Sequence, residues 1–419
     1  MARAMNDSRV SWPAEIPASW NLIRIKDLAI LKSGDHLSAE QINEDGPYPV
    51  MGGNGLRGYS FRFTHKGEHV LIGRQGALCG NINYAKGPFW ATEHAVVAQP
   101  RRTFILRWLG EALRALNLNQ YATASAQPGL SVEVIANKHV PVPPLDEQRR
   151  IAAWLDLQTG RVDKRLELLG KKRELLRELK NSVIEDATFR GLNADAAQRE
   201  SDIDWLGAIP AHWAVVRLGS LFREAADAGI DGLPMLSVSI HSGISDKELE
   251  DDELDRKVSR SEDRTLYKRV KPGDLVYNQM RAWQGAFGAA KVEGLVSPAY
   301  VVARPGTAVV PTFIEYLLRA PAAMEEIRCR SRGITDFRLR LYWDEFKNIR
   351  VALPPKDEQA EIAAFLDRKL SQIARQIALI DRLEALLKEQ RKAMIHEAVT
   401  GKIDLSAYEP QQPREALAA

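Results

Sequence analysis

Residues Val142–Asp156 read "VPPLDEQRRIAAWLD", and Leu353–Asp367 read "LPPKDEQAEIAAFLD". The two stretches align at one offset of 211 residues, Pro144 with Pro355, and the match runs on as far as Ile184 and Ile395. A second echo precedes each copy: "WPAEIPASWNLIRIKDL" from Trp12 and "WLGAIPAHWAVVRLGSL" from Trp205, offset by 193. A weaker third one relates "LIGRQGALCG", from Leu71, to "LVYNQMRAWQGAFG", from Leu275. The order is block, helix, block, helix. A repeat of a few tens of residues would mean a solenoid; this period is domain-sized and predicts two similar units with pseudo-twofold symmetry. The larger second offset places extra residues in the second block, and the acidic run Ser245–Asp255 is the expected site.

Each copied stretch starts a long helix. Proline is tolerated in a first helical turn, and the following Asp-Glu pair favours the positive end of the helix dipole. In the first run Leu155, Val162, Leu169, Leu176 and Val183 recur every seven residues; in the second, Leu366, Ile373, Ile380, Leu387 and Met394 do the same. Leu166 and Ile377 add a second stripe. A sustained heptad of this kind is a coiled-coil seam. Two seams of matched length in one chain predict an antiparallel pair, with Gly191 and Gly401 as helix stops.

The blocks predict a mixed α/β (α+β) fold. "HVLIGRQG" and "DLVYNQM" have the pattern of strands entering loops; "HAVVAQP" and "AYVVARP" are apolar runs stopped by proline. Phe104–Leu118 and Pro311–Arg330 have helical periodicity, and glycine-dense Met51–Ser60 is expected to be an exposed turn or loop.

No phosphate-binding Gly-x-x-x-x-Gly-Lys-Ser/Thr loop and no His-Glu-x-x-His zinc helix occurs. The two cysteines, Cys79 and Cys329, suggest neither a disulfide framework nor a zinc cluster. Histidines are scattered, and His94 in "TEHAVV" reads as a hydrogen-bonded structural residue. Asp146/Glu147 and Asp357/Glu358 are adjacent on a helix and do not converge on one point, so the dipole explains them more simply than acid–base catalysis. What remains are side chains suited to base edges and phosphates. Arginine pairs bidentately with guanine, and Asn or Gln with adenine; Arg74, Gln75, Asn278, Gln279, Arg281 and Gln284 are the candidates. Arg57, Arg62, Lys66, Arg332 and Arg338 are candidate phosphate or base contacts, and the Arg328–Arg340 region would supply salt-dependent affinity. A net charge of +3 permits nucleic-acid binding through local patches without demanding it. No run is long enough to span a membrane, and the N-terminus has no signal-peptide pattern, so a cytoplasmic location is expected.

The two Pro-Pro-x-Asp-Glu-Gln-x-x-Ile-Ala helix starts, the closing "EAVTGKIDL" from Glu397, "GGNGLRGYSFRF", "VLIGRQGALCGNINY" and "GDLVYNQMRAWQGAFG" together resemble the specificity subunits of type I restriction–modification enzymes. The resemblance implies two target recognition domains, at 1–143 and 194–354. Two long spacer helices follow them, at 144–193 and 355–404, and a disordered tail at 405–419. It implies a bipartite double-stranded DNA target, one half per recognition domain. It also implies two docked modification subunits, with Asp146, Glu147, Gln148, Asp357, Glu358 and Gln359 in the helix starts near them. Two restriction subunits complete such systems where these are present. The chain itself is expected to be non-catalytic and to bind no cofactor. S-adenosylmethionine, ATP and magnesium are expected on the partners, and the methylated atom is adenine N6. The alternatives are a coiled-coil scaffold carrying two domains for ligands other than DNA, and a stand-alone enzyme.

Overall fold

The computed structural model describes residues 3–123, 128–248, 264–333 and 338–410. It divides into unit 1, Met1–Leu169 with Asp381–Ala419, and unit 2, Gly170–Ile380.

Unit 1 opens with an antiparallel pair, β1 (Met5–Asp7) and β2 (Glu15–Pro17). Next come β3 (Asn21–Arg24), one helical turn α1 (Ile25–Leu28) and β4 (Ala29–Ser33). Then follow β5 (Tyr48–Gly52), β6 (Gly55–Ser60), β7 (His69–Gly73), β8 (Ile82–Ala85), β9 (Trp90–Ala91) and β10 (Ala95–Pro100). The central antiparallel sheet has the order β4-β10-β7-β8. Its middle strands are apolar runs because both faces are covered. Val70, Ile72, Val96 and Ala98 pack with Trp108, Leu109, Ala112 and Leu113 of α2 (Leu106–Ala115). Leu71 and Val97 point the other way, into a cluster with Met51, Phe89 and Ala91. Glycine-dense Met51–Ser60 is therefore not an exposed loop. It forms most of the β5–β6 hairpin, and Met51, Gly52 and Gly55 are buried because β5 also pairs with β9 beside the central sheet. α3 (Val132–Ala136) leads to β11 (His139–Val142), which pairs with β3 and delivers the chain to α4 (Leu145–Glu185).

Unit 2 repeats this plan. β12 (Gln198–Glu200) pairs with β13 (Ala208–Pro210), and β14 (Ala214–Arg217), α5 (Leu218–Leu221) and β15 (Phe222–Ala225) follow. The short pair β16 (Val238–Ser239) and β17 (Gly243–Ile244) precedes β18 (Lys268–Val270), β19 (Leu275–Asn278), β20 (Phe287–Ala289), β21 (Gly294–Val296) and β22 (Tyr300–Pro305). The sheet order β15-β22-β19-β20 matches that of unit 1 strand for strand. The helical pattern over Pro311–Arg330 is two helices, α6 (Pro311–Leu318) and α7 (Pro321–Arg330). The chain breaks at Arg319–Ala320 because Pro321 favours a first turn and disfavours a helix interior. α8 (Trp343–Lys347) and β23 (Arg350–Leu353), paired with β14, lead into α9 (Lys356–Val399). Most of Ser245–Asp255, where the extra residues were expected, lies outside the described residues.

α4 runs unbroken through Gly160 and Gly170. Of the ten heptad positions, Leu155, Val162, Leu176, Leu366, Ile373 and Ile380 are buried, and Leu169, Val183, Leu387 and Met394 are half-buried. In unit 1, Arg391 Nε donates to Asp163 Oδ1 at 3.1 Å, and Ile151 and Leu155 share a core with Ile395, Ala398 and Val399. In unit 2, Ile184 shares a core with Ile362 and Leu366. In each unit the start of one helix lies against the end of the other, the antiparallel arrangement of a coiled coil. Gly191 and Gly401 follow the two helix ends, each at φ 75°. Of the expected tail, Leu405 is buried in the unit 1 core and Tyr408 packs against it.

Candidate nucleic-acid interface

The helix starts are joined to their own units by one repeated set of hydrogen bonds. Gln148 Oε1 accepts the Ile105 N–H at 2.9 Å while its Nε2 donates to the Pro143 carbonyl. Gln359 Oε1 accepts the Val310 N–H at 2.7 Å, and its Nε2 donates to the Pro354 carbonyl. Trp20 Nε1 donates to Glu147, and Trp213 Nε1 to Glu358. The second partner of each carboxylate differs: Arg3 in unit 1, His212 in unit 2. Glu147, Gln148 and Gln359 are therefore buried, and Asp146 and Asp357 are the helix-start acids exposed to solvent.

The candidate base-reading residues gather where β7 and β19 leave their sheets. In unit 1 the Arg74 carbonyl accepts the Leu130 N–H, and Gln75 bridges to Gly129, which also bridges to Thr123. In unit 2 the Gln279 carbonyl accepts the Leu341 N–H, and Arg332 bridges to Arg340. A strand exit and isolated bridges therefore occur together in both units. The bridges are single, so hydrophobic patterning gave no sign of them.

Around this point the side chains divide. Arg74 is half-buried, with Nη1 donating to Ser33 Oγ at 3.2 Å, and Gln75 is exposed. Arg57 is exposed on β6; Arg62 stacks over Trp90 and the Lys66 ammonium over Phe63, with Phe61 open to solvent beside them. In unit 2, Asn278 is buried and its Oδ1 accepts the Met280 N–H at 3.0 Å. That takes the carbonyl needed for a bidentate adenine contact, so Asn278 serves the turn. Arg281 Nε donates to Gln284 Oε1, which fixes both near the half-buried Trp283. Gln279 is half-buried. Arg328 and Arg330 form ion pairs with Glu325 and Glu326 on their own helix. Arg332 pairs with Glu345, and Arg338 is exposed. His94 has a structural place, as its carbonyl accepts the Arg74 N–H and its ring lies against Glu93. Burial alone would raise the Glu93 carboxyl, but backbone and His36 hydrogen bonds and the neighbouring histidines hold it low.

Among the described residues there is no group of three or more His, Cys, Asp or Glu placed to hold a metal ion. In the same residues no helix is long and apolar enough to cross a membrane. Cys79 is buried and Cys329 exposed, and both are free thiols.

Comparison with known proteins points to one family. Residues 17–177 match the family model described as the type I restriction modification DNA specificity domain. The EcoBI specificity subunit of Escherichia coli is 23% identical over 430 aligned residues, covering 91% of this chain and 87% of that one. The chain resembles the type I restriction–modification specificity subunits over most of its length. A second family member, the EcoprrI specificity subunit of Escherichia coli, is 49% identical over 130 residues, a match that spans 32% of its length. A solved chain from work on complex assembly and conformational transition of the type I R-M system has the same fold. Its TM-score is 0.66 at 18% identity, covering 93% of this chain and 100% of that chain.

Proposed function

We propose that the chain reads a bipartite double-stranded DNA target, one half with each unit, and presents it to partner subunits that carry the chemistry. The observation that carries this reading is the duplicated strand exit, where the Arg74 carbonyl in one unit and the Gln279 carbonyl in the other accept an N–H from the chain at Leu130 and Leu341, with Gln75 and Arg281 close by in sequence. Arginine and glutamine there suit guanine and adenine edges. The functional division is 1–143 and 194–354 for recognition and 144–193 and 355–404 for the spacer. The partners are two modification subunits, which bind S-adenosylmethionine and methylate adenine N6, and restriction subunits using ATP and magnesium. The system acts in the cytoplasm.

Docking of the modification subunits is supported by leucines that the seam does not use. Leu168, Leu175 and Leu179 on α4 and Leu379, Leu383 and Leu386 on α9 are each about half exposed or more. Leu168 and Leu175 match Leu379 and Leu386 at the 211 offset. Exposed apolar rows of this kind mark protein interfaces, and the duplication supplies two. Exposed Asp146 and Asp357 lie at the starts of the same helices.

The test is a methylation map. This chain is co-expressed with the modification subunit encoded beside it, and host DNA is sequenced for N6-methyladenine. The expected result is a split motif, methylated on both strands and lost when this chain is omitted. A folded complex that adds no methylation to any split motif overturns the reading. Failure to form a complex favours the scaffold alternative.

A further inference from the structure

The duplication makes unit 1 an internal control for unit 2. In unit 1 the Arg391 guanidinium on α9 pairs with Asp163 on α4 at 3.1 Å. At the 211 offset Lys180 corresponds to Arg391 and Ala374 to Asp163. Unit 2 therefore keeps the cation and lacks its acid. A second exchange lies on the neighbouring helix. Arg107 on α2 bonds Glu111 on its own helix and reaches Asp156 and Thr159 on α4, bridging the two. Its counterpart is Thr312, at the offset of 205 that relates Ile105 to Val310, whose N–H groups the helix-start glutamines accept. Threonine is too short for that bridge. Asp367, the counterpart of Asp156, instead accepts the Tyr316 hydroxyl at 2.5 Å.

Lys180, Ala374 and Thr312 all line one recess of about 770 Å³ inside unit 2, walled by α4, α6, α9 and the β16–β17 turn. That volume suits a small ligand. Ile184, Ile244, Met324, Leu370, Ile373 and Ile377 make much of its lining apolar. The other inner charges are spent. Glu315 accepts Arg319 Nη1 at 2.9 Å and the Ala289 N–H at 2.8 Å, and Arg319 Nη2 donates to the His241 carbonyl. Lys291 and Asp246 are exposed and opposite in sign. Lys180 is half-buried, and among the described residues it makes no hydrogen bond or ion pair. Burial and the Arg319 charge hold its ammonium below the ordinary value. A cation in that position costs free energy that an anion beside it would remove. One negative charge is enough, because Glu315 and Asp367 in the same lining repel the several charges of a nucleotide or polyphosphate.

We propose that this recess binds a small organic monoanion, a carboxylate carried on an apolar ring or branched chain. The carboxylate takes against Lys180 the place that Asp163 has against Arg391 in unit 1. The apolar body lies along Met324, Ile373 and Ile377. The inference goes beyond the DNA-reading function and does not rest on it.

The experiment uses the full chain and the probe naphthalene-2-carboxylate, titrated by calorimetry. Saturable binding at one site per chain is expected. The neutral naphthalene-2-carboxamide should bind about tenfold more weakly or worse. Ala374→Asp builds the unit 1 ion pair into unit 2, and it should weaken the probe by about tenfold or more, as should Lys180→Met. Lys180→Arg should keep the affinity, and Asp163→Ala, the matching exchange in unit 1, should leave it unchanged. Absence of saturable binding overturns the site. Equal affinity for acid and amide also overturns it, since Lys180 would then have no part, and so does undiminished affinity in Ala374→Asp. Ala374 is exposed, so that variant keeps the test open if Lys180→Met does not fold.

Discussion

The indole N–H of Trp20 donates to the Glu147 carboxylate at 2.9 Å across 127 positions of sequence, and Trp213 repeats the bond to Glu358 at 3.1 Å. The tryptophan comes from the segment entering the recognition fold, the glutamate from the first turn of the helix leaving it. One bond therefore sets the direction in which each long helix departs. The two copies are unequal: the Glu147 side chain is 6% exposed and bonded to Arg3, whereas Glu358 is 25% exposed and bonded to His212.

That inequality sets the first prediction. Each alanine variant leaves a buried indole N–H without its carboxylate, but Glu147→Ala also takes the carboxylate from the largely buried Arg3, so it should cost about 2 to 3 kcal/mol and Glu358→Ala about 1 kcal/mol less. Urea unfolding followed by tryptophan fluorescence measures both. Equal losses would show that the two junctions are energetically alike.

The coiled-coil surface separates stability from assembly. Val162→Asp and Ile373→Asp bury an unpaired charge in the seam and should each destabilise the chain by about 3 kcal/mol or more. Leu175→Asp, at a position 64% exposed, should change stability by no more than about 0.5 kcal/mol. It should nevertheless weaken capture of the modification subunit, read by size-exclusion chromatography of the mixed proteins. Unaltered capture by a Leu175→Asp/Leu386→Asp chain would remove the exposed leucines from the docking surface.

The helix stops differ in what surrounds them. A methyl group on Gly401 would fall inside the Pro17 ring, whereas on Gly191 it would lie 3.2 Å from Glu358 Oε1 and 3.2 Å from Trp213. Both glycines have a positive φ that costs other residues about 1 kcal/mol or more. Gly191→Ala should therefore cost about 1 to 2 kcal/mol and Gly401→Ala about 1 kcal/mol beyond that. Thermal unfolding midpoints in the order wild type, Gly191→Ala, Gly401→Ala are expected; the reverse order of the two variants refutes the steric argument.

Unit 1 should weaken in mild acid. Burial among Phe89 and His69 lowers the His65 imidazole below its ordinary value of 6.5. For a depressed group the stabilising contribution is present above the unfolded value. It is lost as pH falls through the folded one, since the unfolded chain takes up the proton first. His396 acts in the same direction, lowered by burial and by the Lys402 charge. Unfolding midpoints should fall as pH drops below 6.5, and His65→Gln should reduce that fall. An identical pH profile for the variant would refute the assignment to His65.

The large-scale plan was legible because it was written twice. The 211 offset predicted the paired helices, and the heptads named the seam residues that are buried. The strands next to proline stops were equally clear. Patterning misjudged Met51–Ser60, since glycines that let a hairpin pack closely look the same in sequence as glycines in a loose turn. The helical periodicity of Pro311–Arg330 was right, but it did not mark the break before Pro321. The interface was the least legible. Asn278 is an ideal base reader by residue type, yet its carbonyl oxygen is used by a turn.

The shared ownership of the helices has a consequence for how the protein is made. Unit 2 is one continuous stretch, residues 170–380, and holds all of its core once that stretch has left the ribosome. Unit 1 begins at the first residue, but its core includes Ile395, Ala398, Val399 and Leu405. At roughly 5 to 20 residues per second, the nascent first unit waits on the order of ten seconds or more for the pieces that close it. The half translated first is the half finished last, and a stop codon a few dozen residues early would strike the domain at the opposite end of the gene.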